Sequence, residues 1–414
     1  MSGSDPAASV KSVPAPRANM PLAGVTVIDF GQIYQGPYAT LLMAKAGARV
    51  IKVEPPHGEP GRLRAQVGKG ATLPLAMLNS NKSAITLNLK SERGRELLKE
   101  MVKKADVVLE NFAPGVMDKL GVGYSVLREI NPLLIYASGT GFGLSGPDKD
   151  SLAMDLTVQA ASGVMSITGF PDGPPVKAGP AFIDFLSGIH LYAAVVTALF
   201  DRAMSGRGRL VEVAMQETVY PTLASNLGFV YNSQGKSAPR VGNRHGGLAI
   251  APYNVYKAKD GYVAVITVVE DHWPKLCEAM GREDLKTDPR FVSNAKRVEN
   301  IDATDAVIEA WTSTLTRKEV FERTKKFRIP VAPVRDLLEV MHDPHMHERG
   351  MLEYIDHPDL GRIIVPTSPL RYHGADKIET IPSPRVGQHN VEVYGDLLGL
   401  SADDVAALKE EGAI

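Results

Sequence analysis

VTVIDFGQIYQGPYATLLMAKAGARVIKVE, residues 25–54, decides the fold class. VTVID (25–29) reads as a compact apolar strand, GPYATLLMAKAG (36–47) carries apolar residues at helical spacing, and ARVIKVE (48–54) is a second strand. The pattern continues through SAITLNL (83–89), then SERGRELLKEMVKKA (91–105), a helix with Ser91 as its cap. The strands DVVLEN (106–111) and LLIYASG (133–139) follow, with a short helical stretch between them. Strands this apolar, alternating with helices, predict an α/β fold whose parallel sheet is covered on both faces.

Further along, AFIDFLSGIHLYAAVVTALF (181–200) is the most apolar run of the chain. It carries Asp184 and His190 and ends at a Gly-rich turn, which predicts a buried helix of a soluble protein rather than a membrane span. RLVEVAM (209–215) alternates like a strand, and a helix runs from there to about residue 231. The polar, Gly-rich NSQGKSAPRVGNRHGG (232–247) reads as a linker or functional loop. PYNVYKAKDGYVAVITV (252–268) reads as a hairpin turning at Asp260-Gly261. Helices dominate to about residue 343, IIVPTSPLRYHG (363–374) returns to strand character, and SADDVAALKEEGAI (401–414) is a capped helix.

The totals narrow the function. With 47 acidic against 46 basic residues in 414, no excess charge points to nucleic acid or a membrane surface. One cysteine, Cys277, excludes an intrachain disulfide framework and any CxxC site. Residues 1–20 are Ser-, Pro- and Ala-rich without the apolar core of a signal peptide, so they read as a disordered tail on a cytoplasmic protein.

Three motifs invite chemistry. GFGLSG (141–146) matches G-x-G-x-x-G after a strand, but Pro147 and the charged DKDS follow it, so no helix opens where a pyrophosphate needs one. A plain glycine loop is the better reading. HDPHMHERG (342–350) holds three histidines, yet Pro344 is expected to break any helix that would align them, and the stretch reads as a solvated loop with no metal. Neither a G-x-S-x-G elbow nor a P-loop occurs, and His272 with Cys277 reads as packing. Asp184 remains. A carboxylate at the start of an apolar helix is either held by backbone N–H groups there or serves as a nucleophile or base. Gly179-Pro180 before it and Ser187-Gly188 after it leave room for a ligand.

The order of segments resembles the class III CoA-transferase family, which includes formyl-CoA:oxalate and carnitine CoA-transferases and the α-methylacyl-CoA racemases. The landmarks are PLAGVTVIDFGQIYQGPYATLLMAKAGARVIKVEPP (21–56), NSNKSAITLNLKSERG (79–94), ADVVLENFAPGVMDKLG (105–121) and GTGFGLSGP (139–147). QAASGVMSITG (159–169), SGRGRLVEVAMQE (205–217), IPVAPV (329–334) and DPHMHERGM (343–351) complete them. The resemblance implies a Rossmann-like large domain with a parallel sheet, built from residues 21–231 and 344–414, around a smaller inserted α+β domain at 232–343. It also implies an interlocked, ring-like homodimer that takes coenzyme A as acyl-CoA, with a carboxylic acid as acceptor.

Residue by residue, the family's nucleophilic aspartate falls on Asp184. Contacts to CoA fall on Tyr34, Gln35, Asn88, Lys90, Asn111, Phe112 and Lys119, with Met154 and Asp155 beside them. The family's glycine-rich active-site loop falls on Gly246-Gly247, with fewer glycines here. Pro55 stands where formyl-CoA transferase has an arginine, so Arg62 or Arg64 is the expected source of that charge. The stretches 33–35, 60–75 and 243–250 also differ from formyl-CoA transferase, so that particular enzyme is not the expected match. Racemases of the family carry a histidine directly before their catalytic aspartate, and here the place reads Ala153, Met154, Asp155. A thioether cannot shuttle a proton, so transfer is expected over racemisation. A non-catalytic acyl-CoA-binding protein is the third reading, and an intact Asp184 argues against it.

Overall fold

Asp29, at the end of the first strand, lies parallel to Lys52 of the second, so the opening strand–helix–strand unit closes as a parallel pair. The computed structural model describes residues 19–63 and 71–414. Nearly all of the 1–20 tail, and Arg64, lie outside the described residues. Six parallel strands form one sheet: β1 (Thr26–Asp29), β2 (Arg49–Glu54), β3 (Ser83–Thr86), β4 (Val107–Glu110), β5 (Ile135–Thr140) and β6 (Arg209–Ala214). Their order is β3-β2-β1-β4-β5-β6. Strand order therefore reverses between β1 and β4, the switch point where a parallel sheet opens a crevice at the carboxyl ends of its strands.

The chain divides into two compact units. The first contains residues up to 158, 181–218 and 342–414; the second contains 159–180 and 219–341. Alternation along the strands sends successive side chains to opposite faces of the first unit's sheet. Ile28, Ile51, Val108 and Tyr136 pack on one face with α2 (Glu92–Val102) and the C-terminal helices α4 (Asn390–Leu398) and α5 (Ala402–Glu410). Val27, Val50, Val107 and Ile135 pack on the other with α1 (Gln35–Lys45) and α3 (Phe182–Ser205). Ser91 caps α2, and Ser401 closes a capping box with Asp404 at α5.

Strand β3 lies at the sheet's edge, where unpaired backbone groups invite aggregation. Here the segment entering α4 covers them. His389 Nδ1 accepts the Ala84 N–H (3.0 Å), Asn390 Oδ1 accepts the Thr86 N–H (2.9 Å), and Tyr394 donates to the Thr86 carbonyl (2.7 Å). Helix α3 is long and apolar enough to cross a membrane by length and composition, but it packs against α1 and strands β5 and β6.

The second unit is a three-stranded antiparallel sheet, β7 (Tyr253–Ala258), β8 (Gly261–Ile266) and β9 (Val331–Pro333), covered by helices. Its core gathers Tyr256, Val263, Trp273, Cys277, Phe291 and Ile308. The hairpin is present, but Ala258 pairs with Gly261, so the turn residues are Lys259-Asp260 rather than Asp260-Gly261. In the first unit β11 (Gly361–Pro366) pairs antiparallel with β10 (Leu352–His357), a strand absent from the sequence reading. Pro344 does not break a helix. It opens one, Pro344–Glu348, behind the cap Asp343, because the first helical position needs no N–H donor.

Candidate functional site

A parallel sheet places all its strand ends at one edge, so the residues following β1, β3 and β4 gather there. Tyr34 and Gln35 follow β1 at the start of α1, Asn88 and Lys90 follow β3, and Asn111, Phe112 and Lys119 follow β4. Asn111 spans the switch point. Its Oδ1 accepts the Gln32 N–H at 2.7 Å and its Nδ2 donates to the Gln32 carbonyl at 3.1 Å. Asn88 is engaged by the chain itself: its Nδ2 donates to the Gly412 carbonyl, and its Oδ1 accepts the Lys90 N–H.

Asp184 stands in the first turn of α3, half-buried. The helix's N-cap residue is Ala181, whose methyl group cannot accept a hydrogen bond. Asp155 supplies the missing acceptor from another element: its Oδ1 takes the N–H groups of Ile183 (2.9 Å) and Asp184 (3.4 Å). Phe185, the next residue, stacks on Tyr34 with ring centroids 5.8 Å apart and meets Tyr38 edge-on at 4.9 Å. Close approach of α3 to α1 depends on Gly188, where a Cβ would lie 2.8 Å from the Gln35 carbonyl oxygen and 3.3 Å from Tyr38. Three sequence-expected residues, Tyr34, Asp155 and Asp184, are thus joined through α3's first turn.

Gln35 is buried beside Gly139 of β5, where a Cβ would fall 2.7 Å from the Gln35 side-chain oxygen. Its Nε2 has no hydrogen-bond partner among the described residues, which leaves a buried donor at the edge of the crevice. Met154 is half-exposed. Its backbone N–H and carbonyl both pair with the Thr157 hydroxyl, at 2.9 Å each.

The floor of the crevice is ionic. Lys82 contacts Asp29 at 3.0 Å, Lys52 contacts Glu59 at 2.9 Å, and Arg62 grips Glu54 through two nitrogens, all of them buried. Burial would raise the Asp29 carboxyl, but Lys82 and Lys52 hold it below its ordinary value. Burial pushes Lys82 down to about 8, with Asp29 opposing. Arg62 is therefore committed to Glu54, and Arg64, the other expected source of charge near Pro55, lies outside the described residues. Beside the floor is a small cavity of about 20 Å³ whose lining includes Ile33, Tyr34, Glu59 and Thr72. Sequence reasoning missed Glu59 and Phe185, and it touched Ile33 only through the stretch 33–35 in the β1–α1 turn.

In the second unit, Gly246 and Gly247 sit tightly on the helix Ala224–Asn232. A Cβ would meet the Asn226 amide at 2.7 Å from Gly246 and the Ser225 carbonyl at 2.8 Å from Gly247. His245 Nδ1 accepts the N–H groups of Gly247 and Ala249. A larger hollow of about 470 Å³ in this unit is lined by Arg244, Tyr256 and Asp305, whose polar atoms pair with one another.

Residues 141–154 form turns and loops, with the next helix at Asp155, and no metal-ligand cluster occurs among the described residues. Cys277 is buried and its thiol is pushed up to about 12 by burial, which keeps it protonated and inert. His357 Nε2 reaches Ser383 Oγ at 3.1 Å, but its Nδ1 accepts the Asp359 N–H. The ring therefore donates toward the serine and cannot take its proton.

Comparison with known proteins agrees with this architecture. The chain matches CoA-transferase family III over residues 22–390. It is 37% identical to a formyl-CoA:oxalate CoA-transferase of Streptomyces coelicolor, across 95% of this chain and 99% of that protein. It is 38% identical to an acetyl-CoA:oxalate CoA-transferase of Acetobacter aceti, across 91% and 95%. With a succinyl-CoA–D-citramalate CoA-transferase of Chloroflexus aurantiacus it shares 36% identity, across 96% and 99%. A crystal structure of a CAIB/BAIF family protein from Brucella suis superposes with a TM-score of 0.80 at 34% identity, across 92% of this chain and all of that one. A Mycobacterium tuberculosis structure gives 0.78 at 32%, across 90% and 98%. The chain belongs to CoA-transferase family III and is a class III CoA-transferase.

Proposed function

We propose that the enzyme moves CoA from an acyl-CoA thioester to a carboxylic acid through covalent intermediates on Asp184. The observation that carries this is the first turn of α3. Asp155 occupies the helix's leading N–H groups, and Asp184 stands beside an aromatic cluster of Phe185, Tyr34 and Tyr38. An apolar wall weakens solvation of the carboxylate and keeps water from an activated acyl group.

The steps balance without metal or external energy, because one thioester replaces another. Asp184 attacks the thioester carbonyl, forming a mixed anhydride and releasing CoA thiolate. The thiolate attacks the aspartyl carbonyl, forming an aspartyl-CoA thioester and releasing the donor acid. The acceptor carboxylate then attacks that thioester, giving a second anhydride, and the freed thiolate takes its acyl group and restores Asp184. Each tetrahedral oxyanion needs fixed donors, which backbone N–H groups supply. Tyr34, Gln35, Asn88, Lys90, Asn111, Phe112, Lys119, Met154 and Asp155 are our candidate CoA contacts. The unpaired Gln35 donor and the exposed Lys90 and Lys119 favour this.

The relatives' names pair formyl, acetyl and succinyl donors with oxalate and D-citramalate. A short dicarboxylic acid is accordingly our proposed acceptor. The working form we propose is a cytoplasmic homodimer. The exposed stripe Ile189, Phe200 and Met204 on α3 supports a second copy as partner, since a monomer rarely leaves such a stripe open.

The test is Asp184→Ala and Asp184→Asn in a panel of acyl-CoA donors against dicarboxylate acceptors, read by mass. Both variants should lose exchange while remaining folded, and hydroxylamine quenching of the wild type during turnover should modify Asp184. Full activity in either variant, or a modification elsewhere, would falsify the assignment.

A further inference from the structure

We propose that Glu59 and Asn111 are positioning residues for the transfer reaction. They lock a left-handed turn at Ile33 that sets Tyr34 against Phe185, beside Asp184. The proposal rests on the Asp184 reading above.

Ile33 has φ +64°, the left-handed region that a β-branched side chain resists. Such a residue keeps this conformation only where its surroundings over-determine it. Around this turn they do. Asp29 Oδ1 accepts the Gly31 N–H (2.8 Å), and Lys52 Nζ donates to the Gly31 carbonyl (2.9 Å). Asn111 takes both the N–H and the carbonyl of Gln32 (2.7 and 3.1 Å), and Glu59 Oε2 accepts the Ile33 N–H (3.1 Å). Every backbone polar group from the Gly31 N–H to the Ile33 N–H is thus held by a side chain. Those side chains come from β1, β2, the residue after β4, and Glu59.

The turn also closes on itself, since a Cβ on Gly36 would lie 2.7 Å from the Gly31 Cα and 3.2 Å from Asn111 Oδ1. Glu59 is in turn fixed by Lys52 and by its own N–H, which donates to Glu54 Oε2 at 3.0 Å. The next residue is Tyr34, which opens α1 and stacks on Phe185. Releasing the turn frees the Tyr34 ring, loosens Phe185 and lets Asp184 drift from its line of attack. Small misplacements of that kind lower the chemical step more than binding.

The experiment uses the full chain with acetyl-CoA. It measures the single-turnover rate of hydroxylamine-trappable adduct at Asp184 by mass, and steady-state kcat and KM alongside. Glu59→Ala and Asn111→Ala should each slow adduct formation about tenfold or more at saturating acetyl-CoA, and in Glu59→Ala, which removes no proposed CoA contact, half-saturation should stay within about threefold of wild type. Glu59→Gln keeps an oxygen for the Ile33 N–H and should recover most of the rate. Adding Ile33→Gly to Glu59→Ala should recover part of it, because glycine holds φ +64° unaided. Unchanged rates in folded variants overturn the proposal. So does a rise in half-saturation alone, or the absence of recovery in both rescue variants. If Glu59→Ala fails to fold, with Lys52 left unpaired, Asn111→Ala decides alone. No adduct at Asp184 in wild type would sink the nucleophile reading instead, and kcat of the same variants would still decide the role of the turn.

Discussion

Asp155 caps the helix that carries Asp184: one carboxylate oxygen accepts the N–H groups of Ile183 and Asp184 from a distant part of the chain. Capping, one of the two readings open to a lone acid at this helix start, is thus met by Asp155, in keeping with the nucleophilic role proposed for Asp184. Asp155→Ala should cost about 1 kcal/mol of stability, the usual loss of a helix cap, and should lower kcat by misplacing α3's first turn. Asp155→Asn keeps an acceptor oxygen and should retain most of both. Chemical denaturation with parallel kinetics checks this; equal damage from Asn and Ala would mean the charge, not the cap, is what counts.

Gly188 sets the distance between α3 and α1. In Gly188→Ala the new methyl would lie 2.8 Å from a backbone oxygen that cannot swing away. Overpacking of this kind costs roughly 1–3 kcal/mol. The thermal midpoint should fall and activity with it, while Ala193→Gly further along the exposed face should leave activity near wild type.

Much of this geometry was legible in the sequence, and the limit has a physical cause. The strands VTVID and ARVIKVE and the helix between them were readable because both faces of the sheet are buried, leaving nearly continuous apolar runs. Strand β10 (LEYIDH) was hidden because Glu353 and Asp356 interrupt its pattern. Pro344 was misjudged because proline stops a helix from inside yet starts one at its first position. Asp184 could be singled out by its isolation in an apolar run. Asp155, Glu59 and Asn111 could not be given their structural roles, because these hydrogen bonds link residues 26 or more positions apart or depend on a loop's backbone angles.

Glu110 gives the protein a pH dependence of its own. Burial raises its carboxyl to about 7 against hydrogen bonds from Ser138 and the Phe112 N–H, with Asp118 adding to the rise. The folded chain therefore holds a proton that the unfolded chain has lost. This contribution is complete below the ordinary value of 4.5, shrinks as pH rises to about 7 and is level above it. Over that window the loss is roughly 3 kcal/mol. Glu110→Gln keeps an acceptor for Phe112 and should flatten the slope between pH 5 and 7 in denaturation midpoints. A slope unchanged from wild type would assign it to other groups.

The geometry that places Asp155 at the helix cap argues against racemisation. Removing and returning an α-proton requires an acid and a base on opposite sides of the carbon. Met154 offers a thioether where the family's isomerases have a histidine, and one oxygen of Asp155 beside it holds two helix N–H groups. Incubating a chiral 2-methylacyl-CoA in D₂O without an acceptor acid should leave the α-carbon free of deuterium by mass. Met154→His restores an ionisable ring but not a free partner for it, so deuterium uptake should stay at background there too. Uptake by the wild-type enzyme would make it an isomerase. Uptake only in Met154→His would show that Asp155 can leave α3 and serve as the second base.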